Sequence, residues 1–220
     1  ENILAFRPVL SPSPLGDMRF RALVGADGWA SLPEAVRRRF AKRVSAAASV
    51  TYTGEIVECR MSRLGWCLAQ ALRLIGSPLP LSRDTLVPAV VVVTEAAAGA
   101  GQFWLRQYGR HDGFPQVIKS AKRFAGPTGL EEYVGGGIGV ALTLAAEGGA
   151  LYFRSDHYFW SLGTLRVRLP RWIAPGALTV GHVDCDDGWF AFTLSLIHPL
   201  LGELISQTAL FRDAGGDGGR

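Results

Sequence analysis

From Leu86 to the C-terminal region, apolar and polar residues alternate with a period of two, the spacing of a strand with one buried face. The runs predict strands near 86–95, 101–110, 115–124, 129–134, 137–147, 149–158, 161–169, 177–184, 189–197 and 203–212. Gly99-Ala100-Gly101, His111-Asp112-Gly113, Gly126-Pro127, Glu147-Gly148-Gly149 and Asp186-Asp187-Gly188 separate them. These are tight turn signals between hairpin-connected strands. No helical spacing lies between the runs, which argues against parallel crossovers.

Before Leu86 the period is mixed. Leu32, Val36, Phe40 and Val44 recur every four residues and predict a helix. Ser31 and Glu34 have the spacing of a capping box at its start. Residues 50–57 read as a strand. Leu64, Leu68, Leu72 and Ile75 then predict a second helix, which Gly76 ends. Residues 1–30, with Ser11-Pro12-Ser13-Pro14, read as an extended lead-in or linker. Residues 31–212 read as one domain, and the Gly-rich residues 213–220 as a disordered tail.

A long series of antiparallel strands has to hide its edges, and closure does this. The expected fold is therefore α+β and mainly β. It is a curved, lipocalin-like antiparallel meander closing to a barrel or half-barrel, with two helices in the N-terminal half.

Composition sharpens this picture. The chain has 220 residues, 48% hydrophobic and 19% charged, which suits a sizeable core and argues against disorder. The apolar run from Leu86 to Val93 is interrupted by Pro88 and is far shorter than the roughly 20 residues of a spanning helix, so no transmembrane segment is expected. The formal charge is +4, and the main basic cluster is Arg37-Arg38-Arg39 with Lys42 and Arg43 on the first helix. A solvated helix face explains it, and no nucleic-acid module accompanies it. Cys59, Cys67 and Cys185 form no CxxC pair and read as buried free thiols, which fits a reducing cytoplasm.

Several constellations are candidates for chemistry. Trp104, Arg106, Tyr108 and Arg110 alternate, so they share one face of a strand. An aromatic–cation row inside a barrel would suit an anionic or carbonyl-bearing ligand, whereas on an exposed face it is only stacking. Ser120, Lys122 and Phe124 share a face opposite Lys119 and Arg123. Of Glu131-Glu132, one carboxylate must face inward; Glu131 is the candidate, with Arg106 as its partner. His198 ends the row Phe190, Phe192, Leu194, Leu196, and reads either as a barrel-mouth ligand donor or as a turn histidine. His182, Asp184, Asp186 and Asp187 look like a metal set, but Asp186-Asp187-Gly188 is a hairpin turn. There is no GxSxG elbow, P-loop or HExxH spacing, and the Gly-rich Val134–Gly139 stretch lacks a following helix. No cofactor and no metal are expected. The candidate ligand-binding residues are Trp104, Arg106, Glu131 and His198.

Leu32-Pro33, Gly54, Trp104-Leu105-Arg106, Glu131, Leu169-Pro170-Arg171-Trp172 and His198-Pro199-Leu200-Leu201-Gly202 occur in that order. In this the chain, over about residues 30–212, resembles an uncharacterised bacterial domain of unknown function. That family is sometimes fused behind a saccharopine-dehydrogenase-like dinucleotide-binding domain. Two departures stand out: Tyr108 replaces an expected Phe, and Gln207-Thr208-Ala209 replaces an aromatic and Gly. The resemblance implies a fold neighbourhood and little mechanism, and no redox function is carried over from it.

Three readings of function remain open. The first is a binding domain with a small apolar or amphipathic ligand in a barrel mouth. The second is a metal-independent isomerase or cyclase, which requires Glu131 or His198 in a water-poor cavity. The third is an accessory module docking on an oxidoreductase, which requires an exposed apolar patch.

Overall fold

A computed structural model describes residues 17–41, 49–96, 99–163 and 165–214. The Pro-Ser run, Val44, Lys42, Arg43 and the Gly-rich tail lie outside the described residues.

Eleven strands form a single antiparallel sheet. They are β1 (Ser49–Met61), β2 (Val87–Glu95), β3 (Gly101–Tyr108), β4 (Gln116–Arg123), β5 (Glu131–Gly135), β6 (Ile138–Glu147), β7 (Ala150–Leu162), β8 (Leu165–Arg168), β9 (Ala177–Asp184), β10 (Trp189–His198) and β11 (Gly202–Asp213). Each of the ten expected runs after residue 85 overlaps one of them, with β7 running four residues past its expected end. β6 also pairs with β7, β7 with β9, and β1 with β11, which closes ten strands into a barrel. β8 folds back as a short flap on β7 outside that ring. The expected mainly β closed meander is present, with ten ring strands.

Because successive ring strands alternate in direction, the β1–β2, β3–β4, β5–β6, β7–β9 and β10–β11 connections all lie at one end. We call this the upper end. The chain reaches the barrel at the lower end through three short helices, α1 (Arg19–Val24), α2 (Ala26–Ser31) and α3 (Glu34–Ala41). Phe20, Trp29, Leu32, Val36 and Phe40 from these helices pack on Leu130, Val140, Leu142, Leu151 and Phe153 of the barrel. The helices thus plug the lower end.

Four expectations change here. Residues 19–31 are helical, and Phe20 is core, so the lead-in is not extended over its last third. Six-residue helices are too short to show a period. Ser31 ends α2, and its hydroxyl donates to the Gly28 carbonyl instead of capping the next helix. Arg39 is no solvated residue: it pairs with Asp184 at 3.0 Å and lies over the Phe190 ring, tying α3 to β9. Of the thiols, only Cys59 is half-buried; Cys67 and Cys185 are exposed.

α4 (Arg63–Ala71), capped by the Ser62 hydroxyl accepting from Gly65 N–H, lies at the upper end and continues into a 3₁₀ turn at Leu72–Ile75. Gly76 ends it in the left-handed region, as its position predicts. Gly65 lets the helix sit directly on β11, since a Cβ there would overlap the Leu204 carbonyl. The chain then crosses the upper end through Pro78, Leu79 and Pro80. Gln116 holds this crossing, donating to the Leu79 carbonyl at 2.8 Å and accepting from Leu81 N–H at 2.9 Å.

Candidate ligand-binding site

The upper half of the barrel encloses a cavity of about 410 Å³. Its walls are mostly aliphatic and aromatic. Leu68, Leu72, Ile75 and Leu79 come from α4, the 3₁₀ turn and the crossing after it, Leu169 and Ile173 from the β7–β9 connection, and Leu178 from β9. This size lies in the lower part of the range for small-molecule sites.

One polar cluster interrupts the apolar lining. β3 points Trp104, Arg106 and Tyr108 inward, as its alternation predicts, and β4 points Ser120 and Lys122 inward. Glu132 of β5 stands directly across from Lys122 in the β4–β5 register. Its carboxylate accepts from Arg106 Nη2 at 3.0 Å and from Lys122 Nζ at 2.9 Å. Lys122 Nζ also lies 4.6 Å from the centre of the Trp104 ring. Lys122 and Glu132 sit toward the lower ends of their strands, so the cluster lies deep in the barrel.

The electrostatics follow from burial and pairing. Burial alone would push the Glu132 carboxyl up, but Lys122 and Arg106 outweigh it and hold it well below the usual carboxylate range. Burial lowers the Lys122 ammonium, with the Arg106 charge adding to the effect and Glu132 opposing it. Burial opposes the Arg106 charge, yet the Glu132 carboxylate holds its pKa above the usual value. Burial raises the Tyr108 phenol and pushes Tyr158 up to about 12, so both remain neutral donors on the cavity wall. With both cations charged, the cluster carries one more positive charge than negative.

The four sequence candidates divide evenly. Trp104 and Arg106 line the cavity. Glu131 does not: it faces outward, buried beneath β8, where it pairs with Arg166 and accepts from the Tyr133 hydroxyl at 3.0 Å. Glu132 is the inward carboxylate, and the expected partnership with Arg106 belongs to it. His198 is the last residue of β10, and its Nδ1 accepts from Leu200 N–H at 3.2 Å in the turn that follows. It does not line the cavity. Lys122, Ser120, Tyr108, Tyr158, Thr193 and Gln207 complete the polar lining.

A second cavity of about 30 Å³ lies beneath Trp104, bordered by Tyr52, Gln102 and His182. Its volume is that of one water. Burial and the Arg39 charge push His182 down to about 3, so the ring is neutral among Phe40, Phe190 and Phe192. Asp186 and Asp187 form the predicted turn with Gly188, all three at positive φ. Among the described residues, no group of three or more His, Cys, Asp and Glu is placed to hold a metal ion, and no helix is long and apolar enough to cross a membrane.

Residues 32–211 match the family described as Domain of unknown function (DUF4166). The chain belongs to this family. No curated protein and no solved structure matches it. The family match spans the barrel, α4 and the α3 plug, so the cavity and its polar cluster lie wholly inside it.

Proposed function

We propose that the barrel binds a small amphipathic ligand head-first, with an anionic group at Arg106 and Lys122 and an apolar body toward the upper end. The observation that carries this reading is the placement of one net-cationic cluster at the floor of an otherwise apolar cavity. Arg106 keeps donors beyond those given to Glu132, and its planar fork suits a carboxylate or similar oxyanion. An anion arriving beside Lys122 would also favour its charged form, offsetting part of the cost of burial. Tyr108 and Tyr158 would add neutral donors.

The isomerase or cyclase reading named Glu131 or His198 as its acid or base, and neither lines the cavity. The accessory-module reading, with an oxidoreductase or a fused saccharopine-dehydrogenase-like domain as partner, asks only for an exposed apolar patch and gives no role to the deep cavity with its polar cluster. The cavity favours a binding domain instead. The ligand test is native mass spectrometry of protein purified from the cells that produce it. The expected result is a population carrying extra mass, which denaturing extraction releases as an anionic amphiphile. Protein that stays at its sequence mass, and takes up no added long-chain carboxylate, would overturn the reading.

A further inference from the structure

The two ends of the barrel differ sharply. The upper-end segments, 62–86, 109–115, 136–137, 163–176 and 199–201, contain eleven exposed large apolar side chains. The described lower-end segments expose only Met18. Leu74, Phe114, Trp172 and Leu200 are each more than four-fifths exposed, and Trp66 and Leu201 about half. Scattered apolar residues need no explanation, but their concentration on the connections at one end of the barrel does.

The charges are equally one-sided. The same upper segments hold seven arginines against two carboxylates, Asp84 and Asp112. Arg110 lies near Asp84, Arg166 pairs with Glu131, and Arg168 lies near Asp156. Arg63, Arg73, Arg83 and Arg171 make no ion pair among the described residues. Among the described residues of the lower end, five arginines on the helices (Arg19, Arg21, Arg37, Arg38 and Arg39) stand against five carboxylates at Asp17, Asp27, Glu34, Asp186 and Asp187.

We propose that the upper end docks on an anionic lipid bilayer, with Trp66, Leu74, Trp172 and Leu200 dipping into the interface and Arg63, Arg73, Arg83 and Arg171 on the headgroups. Exposed Trp with apolar neighbours suits the boundary between headgroup and acyl chain. Unpaired arginines around it suit a negative surface. The rim also adjoins the cavity, because Leu72, Ile75, Leu169 and Ile173 line it from the same two segments. A bilayer presents its headgroups toward a docked protein, so an anionic amphiphile leaving it would pass into the barrel head-first. That last step rests on the proposed ligand class; the docking itself does not.

The test is flotation with vesicles of phosphatidylcholine alone and with one quarter phosphatidylglycerol. Expected are at least tenfold tighter binding to the anionic vesicles, weakening as salt rises from 0.05 to 0.5 M. The triple variant Leu74→Ser, Trp172→Ser, Leu200→Ser changes only highly exposed side chains. It should lose most vesicle binding while keeping solution binding of a fluorescent long-chain carboxylate. Equal flotation with both vesicles, no flotation, or full flotation of the triple variant would overturn the docking proposal. So would concentration-dependent dimerisation through this face without vesicle binding. Loss of carboxylate binding with vesicle binding intact would overturn the cavity reading alone.

Discussion

Replacing Glu132 with Gln keeps the side chain's shape and removes the carboxylate that joins Arg106 and Lys122. Both bonds are charge-assisted, at 3.0 and 2.9 Å, and each such bond is worth about 1.5–3 kcal/mol. The amide retains one acceptor, so one bond is lost and the other weakened. The two cations then face each other without compensation, for which loss of a buried partner costs about 3–5 kcal/mol. Lys122 limits the penalty by releasing its proton, since burial already lowers its pKa. Partial exposure of the Arg106 side chain, 22%, limits it further. We expect Glu132→Gln to destabilise by about 3 kcal/mol at pH 7. In urea unfolding this lowers the midpoint by roughly 1–2 M at an m-value of about 2 kcal/mol/M. The loss should shrink toward pH 9, where Lys122 gives up its proton more easily. Adding Lys122→Met should restore part of the stability. A cost below about 1 kcal/mol, or a double variant no more stable than the single one, would refute the buried-cluster reasoning.

Other outcomes follow from the same structure. His182 is neutral when folded, with a pKa near 3 against 6.5 in an unfolded chain. The unfolded chain therefore takes up the proton first, and stability should fall as pH drops from 6.5 toward 3, by up to about 1.4 kcal/mol per unit. Urea midpoints at pH 7 and 4.5 should converge more in His182→Phe than in the parent; equal losses in the two proteins would count against this. Gly54→Ala should destabilise by about 1–3 kcal/mol, because a Cβ would overlap the Leu210 carbonyl across the β1–β11 pairing; an unchanged melting temperature would refute this close approach. Arg106→Met should weaken binding of a long-chain carboxylate at least tenfold, while His198→Ala leaves it unchanged, as measured by isothermal titration. The reverse pattern would return His198 to the site.

Period-two alternation made β3 readable, and with it Trp104, Arg106 and Tyr108 as one inward row. It failed where strands change phase. β5 has five residues, and its pairing with β6 shifts register between Tyr133 and Gly135, so neighbouring alternation cannot rank Glu131 against Glu132. The deciding fact is the pairing of Lys122 with Glu132, a register that only the fold supplies. The signal within reach was Lys122 itself: an inward Lys beside Ser120 needs a carboxylate. In β7 the pairing with β6 skips Asp156, so Phe153 faces the cavity on one side of the irregularity and Tyr158 on the other. Phe159 then faces outward and is covered by Arg166 of β8, 3.7 Å from its ring centre. The helical plug escaped detection for a different reason. α1 and α2 are one and a half turns each, and their stability comes from burying Phe20 and Trp29 rather than from a pattern along the chain.

The most direct test of the account compares a fluorescent long-chain carboxylate with the alcohol of the same chain, titrated into the purified protein at pH 7. The carboxylate should bind at least tenfold tighter, and Arg106→Met should remove this preference while keeping residual apolar binding. Equal affinity for the two probes, or a preference that survives Arg106→Met, would contradict the claim that the buried cluster receives an anionic head.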